Sequence, residues 1–143
     1  PPLDPVNALL SLTYMMLTGE CVGACYPAGL DPFVGFLHQL DYGRPSLALD
    51  LLEPFRPALC DRFVMRLLQQ EVFHPEDFCH SEENGCRLQA DRFKDYIHAY
   101  AEYMHEADDN RRGKAVGDMA RRIANAVKSR QPASFGDILG GWA

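Results

Sequence analysis

Residues 35–57 read GFLHQLDYGRPSLALDLLEPFRP and set one histidine, His38, and two carboxylates, Asp50 and Glu53, around a short glycine-proline turn. Imidazole and carboxylate together can hold a divalent cation. Oxygen donors with one imidazole suit magnesium or manganese, whereas an all-thiolate set would point to zinc or iron. Such a cation binds a scissile phosphate and stabilises charge on the attacking and leaving oxygens in phosphodiester chemistry. On a helix beginning near Ser46, Asp50 and Glu53 are three apart and share a face. A turn over residues 43–45 folds His38 back over that face. Arg44 and Arg56 flank the acids; they either grip phosphates or pair with Asp50 or Glu53 and neutralise them. Spacing alone favours the plainer outcome, because a single histidine after an apolar run is commonly a hydrogen-bonded core residue and an i, i+3 acid pair is usually solvated surface.

The elements that must position these side chains read as helical. Asp4 before Pro5 is an N-cap acid ahead of a proline at the first helical position, and the helix it starts is predicted to run to about Tyr26. Pro27 and Gly29 end it, and Gly19 and Gly23 permit a close neighbour or a bend. Residues 30–40, limited by Pro32 and Gly35, are predicted to hold a turn or so of helix that delivers His38. Ser46 is expected to cap a central helix in which Leu47, Leu51, Phe55, Leu59, Phe63, Met65, Leu67 and Leu68 supply a broad apolar surface. Pro54 within it lacks the amide that would bond the Asp50 carbonyl and crowds that carbonyl, which predicts a kink within the acidic pair.

Residues 78–88, FCHSEENGCRL, carry Asn84-Gly85 between short alternating runs, the pattern of a β-hairpin. Residues 91–105 return to helical spacing with Phe93, Tyr96, Ile97, Tyr100 and Met104 on one side. Residues 114–129 form a basic helix with Val116, Met119, Ile123 and Val127 inward. The fold expected is all-α: a compact helical bundle with one small β-hairpin, over residues 1–131. Residues 132–143 lack a sustained pattern and are expected to be a mobile tail unless Phe135, Ile138, Leu139 and Trp142 dock on a partner.

A chain of 143 residues with 47% apolar content is long enough for one domain with its own core. Its opening on Pro1-Pro2, with neither an initiator methionine nor a signal-peptide pattern, fits a piece of a larger polypeptide. Residues 6–30 contain a single charge, Glu20, and so meet the first condition for a membrane span of about 20 apolar residues. Asn7, Ser11, Thr13, Tyr14, Thr18 and Pro27 make the segment too polar and interrupted for lipid, and a helix buried on most sides accounts for it better. Five cysteines, an odd number without secretory features, point to reduced thiols in the cytoplasm. Cys21 and Cys25 are four apart and Cys79-His80 faces Cys86, but neither set has the paired CxxC knuckles of a zinc site; buried structural cysteine is favoured.

The net charge of −6 is unevenly spread, since residues 111–130 hold seven lysines and arginines against Asp118 alone. A phosphate-binding helix beside an acidic, metal-holding body accounts for this, and a merely solvated basic helix does so equally. Arg121, Arg122 and Lys128 are the candidates there for DNA phosphates. His74, His80, His98 and His105 belong to no motif and are read as structural.

Three segments, DPVNALL at residues 4–10, GLDPFVGFLH at 29–38 and GRPSLALDLLEPFRP at 43–57, agree in order and spacing with one family. From Pro1 to about Gln131 the chain resembles the C-terminal helical domain of the CRISPR-associated endonuclease and integrase that acquires new spacers. The resemblance implies a metal site of a glutamate, a histidine and a second acid. His38 matches the histidine, Glu53 the second metal-binding acid, and Asp50 the neighbouring acid that assists by holding His38, orienting a water or joining the shell. The family's glutamate lies in a helix upstream of the DPVNALL segment, before this sequence begins, so only part of the site is present.

The resemblance further implies magnesium or manganese, and strand transfer in which the 3′-hydroxyl of a captured double-stranded DNA fragment attacks the CRISPR repeat boundary. It also implies a homodimer of this subunit on either side of a dimer of a small second adaptation protein. Two other classes stay open. A stand-alone metal phosphohydrolase would need a third ligand within these residues. A non-catalytic DNA-binding or assembly module is the stronger rival, because the glutamate is missing.

Overall fold

Asp4 starts the first helix as its residue type dictates. Its Oδ1 accepts the Asn7 amide at 2.9 Å, and Pro5 occupies a position whose amide would have no partner in any case. The structure, a computed structural model, describes residues 1–39, 41–105 and 111–130; the expected tail at 132–143 lies outside the described residues. Helix α1 (Pro5–Ala28) takes Pro27 into its last turn and closes on Gly29, whose φ of 75° sends its amide back to the Cys25 and Tyr26 carbonyls. Leu9, Thr13, Leu17, Cys21 and Cys25 form its buried stripe, packed against α2 (Ser46–Leu52) and α5 (Arg111–Ser129). By length and composition α1 is able to cross a bilayer, yet here it is a core helix buried along one face and not on most sides. Met15 and Tyr26 remain 62% and 63% exposed.

The predicted central helix is three segments. α2 stops at Leu52, Glu53 and Pro54 make a turn, residues Arg56–Asp61 wind as a π-helical segment, and α3 (Arg62–Gln69) resumes α geometry. Pro54 and Pro57 each withdraw an amide from the ladder, which is why the break falls there. Leu47, Leu51, Phe55, Leu59, Phe63 and Leu67 are buried as expected, while Met65 is 53% exposed, standing about 200° round the helix from Phe63. Ser46 is the first helical residue and not the cap: its hydroxyl donates to the Gln39 carbonyl at 3.0 Å. The preceding loop caps α2 instead, since the Pro32 carbonyl accepts the amides of Leu47 at 2.9 Å and Ala48 at 3.3 Å. Residues 30–39 make turns without the predicted turn of helix.

Strands β1 (Phe78–Ser81) and β2 (Gly85–Leu88) form the expected antiparallel hairpin, with Phe78 opposite Leu88 and His80 opposite Cys86. Gly85 has φ 67°, and a Cβ there would stand 2.2 Å from the Pro2 carbonyl, which accepts the Cys86 amide at 2.8 Å. Helix α4 (Phe93–His105) buries Tyr96, Tyr100 and Met104 as predicted and also Tyr103, while Phe93 is 40% exposed. Phe63 meets Tyr96 and Tyr100 edge-on at 5.8 and 5.5 Å between centroids. Tyr96 Oη donates to Thr13 Oγ1 at 2.9 Å, tying α4 to α1 inside the core. On α5, Val116, Met119 and Ile123 point inward, but Val127 is 65% exposed, and among the described residues none after Ala124 is buried. Cys21, Cys25, Cys60 and Cys86 are buried and unpaired. Burial first of all pushes the Cys25 and Cys60 thiols up to about 11 and about 12, so they stay protonated. Among the described residues no three metal-ligating side chains cluster, which removes the zinc alternative there.

Candidate functional site

Asp50 stands in the second turn of α2 with its side chain fully buried. One oxygen, Oδ2, accepts the amides of Phe36 at 2.6 Å and Leu37 at 3.0 Å. The other, Oδ1, accepts the His38 amide at 3.0 Å and lies 2.6 Å from His38 Nδ1. Burial opposes ionisation of this carboxyl, but the Leu37 amide, the His38 ring and the Phe36 and His38 amides outweigh it and hold Asp50 below its ordinary value of 3.8. An ionised Asp50 accepts the proton on Nδ1, and in the neutral ring that tautomer places the lone pair on Nε2. The His38 side chain is 26% exposed, so that nitrogen belongs to a ring at the surface. His38 is thus held over α2 by Asp50, with the chain turning at residues 42–43, where the Arg44 amide donates to the Asp41 carbonyl, and not at 43–45; Gly35 makes the close approach possible. A Cβ on Gly35 would meet Ser46 Cβ at 2.7 Å and Asp50 Oδ2 at 2.9 Å.

Glu53 follows the last residue of α2 and differs from Asp50 in every respect that burial controls. Its side chain is 41% exposed, and Oε1 accepts from Arg56 Nη1 at 3.1 Å. Of the two roles open to Arg56 in the sequence, pairing with Glu53 is the one observed. Arg56 also lies 4.4 Å over the Tyr14 ring, and the Tyr14 hydroxyl donates to Asp61 at 2.7 Å. Arg44 is exposed on the turn after His38. Arg121, Arg122 and Lys128 stand exposed on α5, a helix that also touches α2, with Arg121 paired to Asp118.

The structure joins His38 to Asp50 and Glu53 to Arg56, on and just past α2, while among the described residues no three metal-ligating side chains gather into one group; the α5 cations stand on a separate element. Asp61 was not singled out in the sequence, and Gly35 and Tyr14 entered only as a limit on a short helix and as a polar residue of the first one. Gly35 carried a signal, a glycine inside the apolar run that leads to His38; Tyr14 and Asp61 are too far apart in the chain to leave a local one. Imidazole held at Nδ1 by a carboxylate is how proteins orient histidine toward a metal, and His38 with Glu53 offers one nitrogen and one carboxylate of that kind.

The profile of the family described as CRISPR associated protein Cas1 matches residues 1–102, a span that contains every residue from Tyr14 to Asp61. The chain belongs to the Cas1 family. A CRISPR-associated endonuclease Cas1 of Methanospirillum hungatei is 46% identical over 107 residues, which is 75% of this Cas1-family chain and 30% of that protein. The chain therefore spans about a third of the length of that curated relative. Among solved structures, a casposase bound to integration product matches with a TM-score of 0.84 at 25% identity, covering 99% of this chain and 40% of that one. A partial Cas6-RT-Cas1–Cas2 complex matches with a TM-score of 0.81 at 24% identity, over 93% of this chain and 41% of that one. The Cas1 helical fold is thus common to this chain and to both.

Proposed function

We propose that this Cas1-family chain is the helical part of a metal-dependent DNA nuclease and integrase that inserts captured double-stranded DNA into a CRISPR array by strand transfer. The observation that carries the reading is the Asp50 clamp, which fixes His38 with Nδ1 occupied and Nε2 available. In this reading His38 and Glu53 hold magnesium or manganese together with a glutamate from outside this sequence. A divalent cation there supplies positive charge for the phosphate oxygens of the bond being exchanged. Asp50 orients the imidazole without touching reacting atoms, Arg44 and Arg56 neutralise phosphates beside the acids, and Arg121, Arg122 and Lys128 hold the DNA backbone farther away. The named contents of the matched structures, integration product in one and Cas2 in the other, support DNA and a small second protein as partners. A homodimer working in the cytoplasm belongs to the same reading.

Calorimetry with manganese and strand-transfer assays on the intact protein test it. His38→Ala and Glu53→Ala are expected to lose both metal binding and strand transfer, Asp50→Ala to keep part of its activity, and the isolated chain to bind manganese weakly. An inactive Asp50→Ala beside an active Glu53→Ala would exchange their roles. The Glu53–Arg56 pair favours one second reading, a non-catalytic DNA-binding or assembly module in which that carboxylate serves the guanidinium. Its signature is undiminished function and DNA binding in both His38→Ala and Glu53→Gln.

A further inference from the structure

Tyr14 belongs to no motif, yet it sits where two elements close on the candidate site. Arg56 covers one face of its ring at 4.4 Å, and Asp61 accepts its hydroxyl proton at 2.7 Å. These two partners are the first and last residues of the π-helical segment Arg56–Asp61. In an α-helix, side chains five apart diverge by about 140°. The wider winding of a π segment, closed by i→i+5 hydrogen bonds, swings them to one side, so a single tyrosine is held by both. From Arg56 the network continues to Glu53 at 3.1 Å. Both members of that ion pair are about 40% exposed, and an exposed i, i+3 pair by itself is loosely held and screened by salt. The ring beneath the guanidinium removes that freedom.

We propose that Tyr14 is a positioning residue: tied to Asp61 by its hydroxyl, its ring holds Arg56 so that one edge of the guanidinium fixes Glu53 and the remaining donors are set for a phosphate oxygen. A planar fork of five donors can serve a carboxylate and a phosphate together, which an ammonium on a flexible stem cannot do with the same geometry. The inference rests on the function proposed above, in which Glu53 and Arg56 face a scissile phosphate. It adds the reason for the π segment, a departure from α geometry that costs hydrogen-bond quality and recurs at functional sites.

The test is a double-mutant cycle on strand transfer by the intact protein, with DNA affinity and thermal unfolding recorded for each variant. Tyr14→Leu removes the ring face and is expected to slow strand transfer by about twofold to thirtyfold, the span of guanidinium–ring interactions, with DNA affinity and melting temperature little changed. Tyr14→Phe keeps the ring and loses the hydroxyl, with its tie to Asp61 and its hydrogen bond to Arg56, so it falls between Tyr14→Leu and the parent. Arg56→Lys loses the planar stacking, and adding Tyr14→Leu to it is expected to slow the reaction no further. Additive losses, or a rate that falls only in step with the melting temperature, would overturn the proposal. If Tyr14→Leu does not fold, Tyr14→Phe and Asp61→Asn complete the same cycle against Arg56→Lys. Strand transfer surviving in His38→Ala and Glu53→Gln would fell the proposed function itself; those two inactive beside a fully active Tyr14→Leu would fell the positioning role alone.

Discussion

Asp50 gathers three amides and one imidazole within 3.0 Å and exposes none of its side chain, so its charge belongs to the loop that carries His38. These amides are partly shielded from water, and three of them converging on one carboxylate make it the anchor of residues 36–38. The sequence pairs Asp50 with Glu53 as an i, i+3 doublet, and nothing in that spacing tells which acid is buried. Burial comes from the loop folding across α2, a tertiary event that depends on Gly35. At Gly35 an added Cβ would meet both Cβ and the backbone carbon of Ser46, at 2.7 and 2.9 Å, and these belong to the first residue of α2. Gly35→Ala is therefore expected to push the loop outward and remove most strand-transfer activity while leaving helix content unchanged. Circular dichroism and activity of the intact protein check this; a fully active Gly35→Ala would show that His38 does not need the clamp.

At the scale of elements, punctuation was legible and windings were not. The Asp4 cap with Pro5 and the Gly29 terminus follow from local chemistry and appear where that chemistry puts them; the hairpin forms as expected, but its turn takes residues 82–84, with Gly85 already in β2 opposite Ser81 instead of in a two-residue Asn84-Gly85 turn. The π-helical segment is invisible to an α period, since Pro54 and Pro57 announce a break without saying how the chain winds afterwards. Likewise Ser46 looks like a cap, but the Pro32 carbonyl takes that task by accepting the Leu47 amide from a loop well upstream, which no local rule anticipates. Helix α5 carries the element-scale prediction. Replacing Arg121, Arg122 and Lys128 together with alanine should weaken DNA binding similarly across sequences and flatten its salt dependence by roughly one unit of slope for each phosphate no longer neutralised. Titrations at several salt concentrations measure it. Unchanged affinity and slope with failed subunit assembly would make α5 a protein interface and move the DNA path toward Arg44 and Arg56.

For the whole molecule, the core joins distant parts of the chain, and one acid registers how tightly. Burial pushes the Glu20 carboxyl on α1 above its ordinary value of 4.5, against the opposing pull of the Tyr100 hydroxyl and the His105 charge. Because the folded value is the higher one, folding prefers the protonated acid. The group is neutral to stability below the unfolded value and becomes a growing penalty as pH rises through the raised folded value. Glu20→Gln should therefore raise the melting temperature at pH 7 and leave it unchanged near pH 4, as thermal unfolding at the two pH values will show; an equal gain at both would place the effect outside this ionisation. The packing of α1 against α5 has a consequence for how the chain is made. The Leu9, Thr13, Leu17 and Cys21 stripe emerges from the ribosome well before α5, which begins at Arg111. At synthesis rates of about 5–20 residues per second, roughly 100 residues separate a helix from its cover by about 5–20 s. α2, which begins at Ser46, covers its own share of the stripe earlier, so for that interval it is the α5 side of a segment apolar enough to enter a bilayer that lies open to chaperones and membranes alike, and translation that stops short of α5 leaves that side open for good.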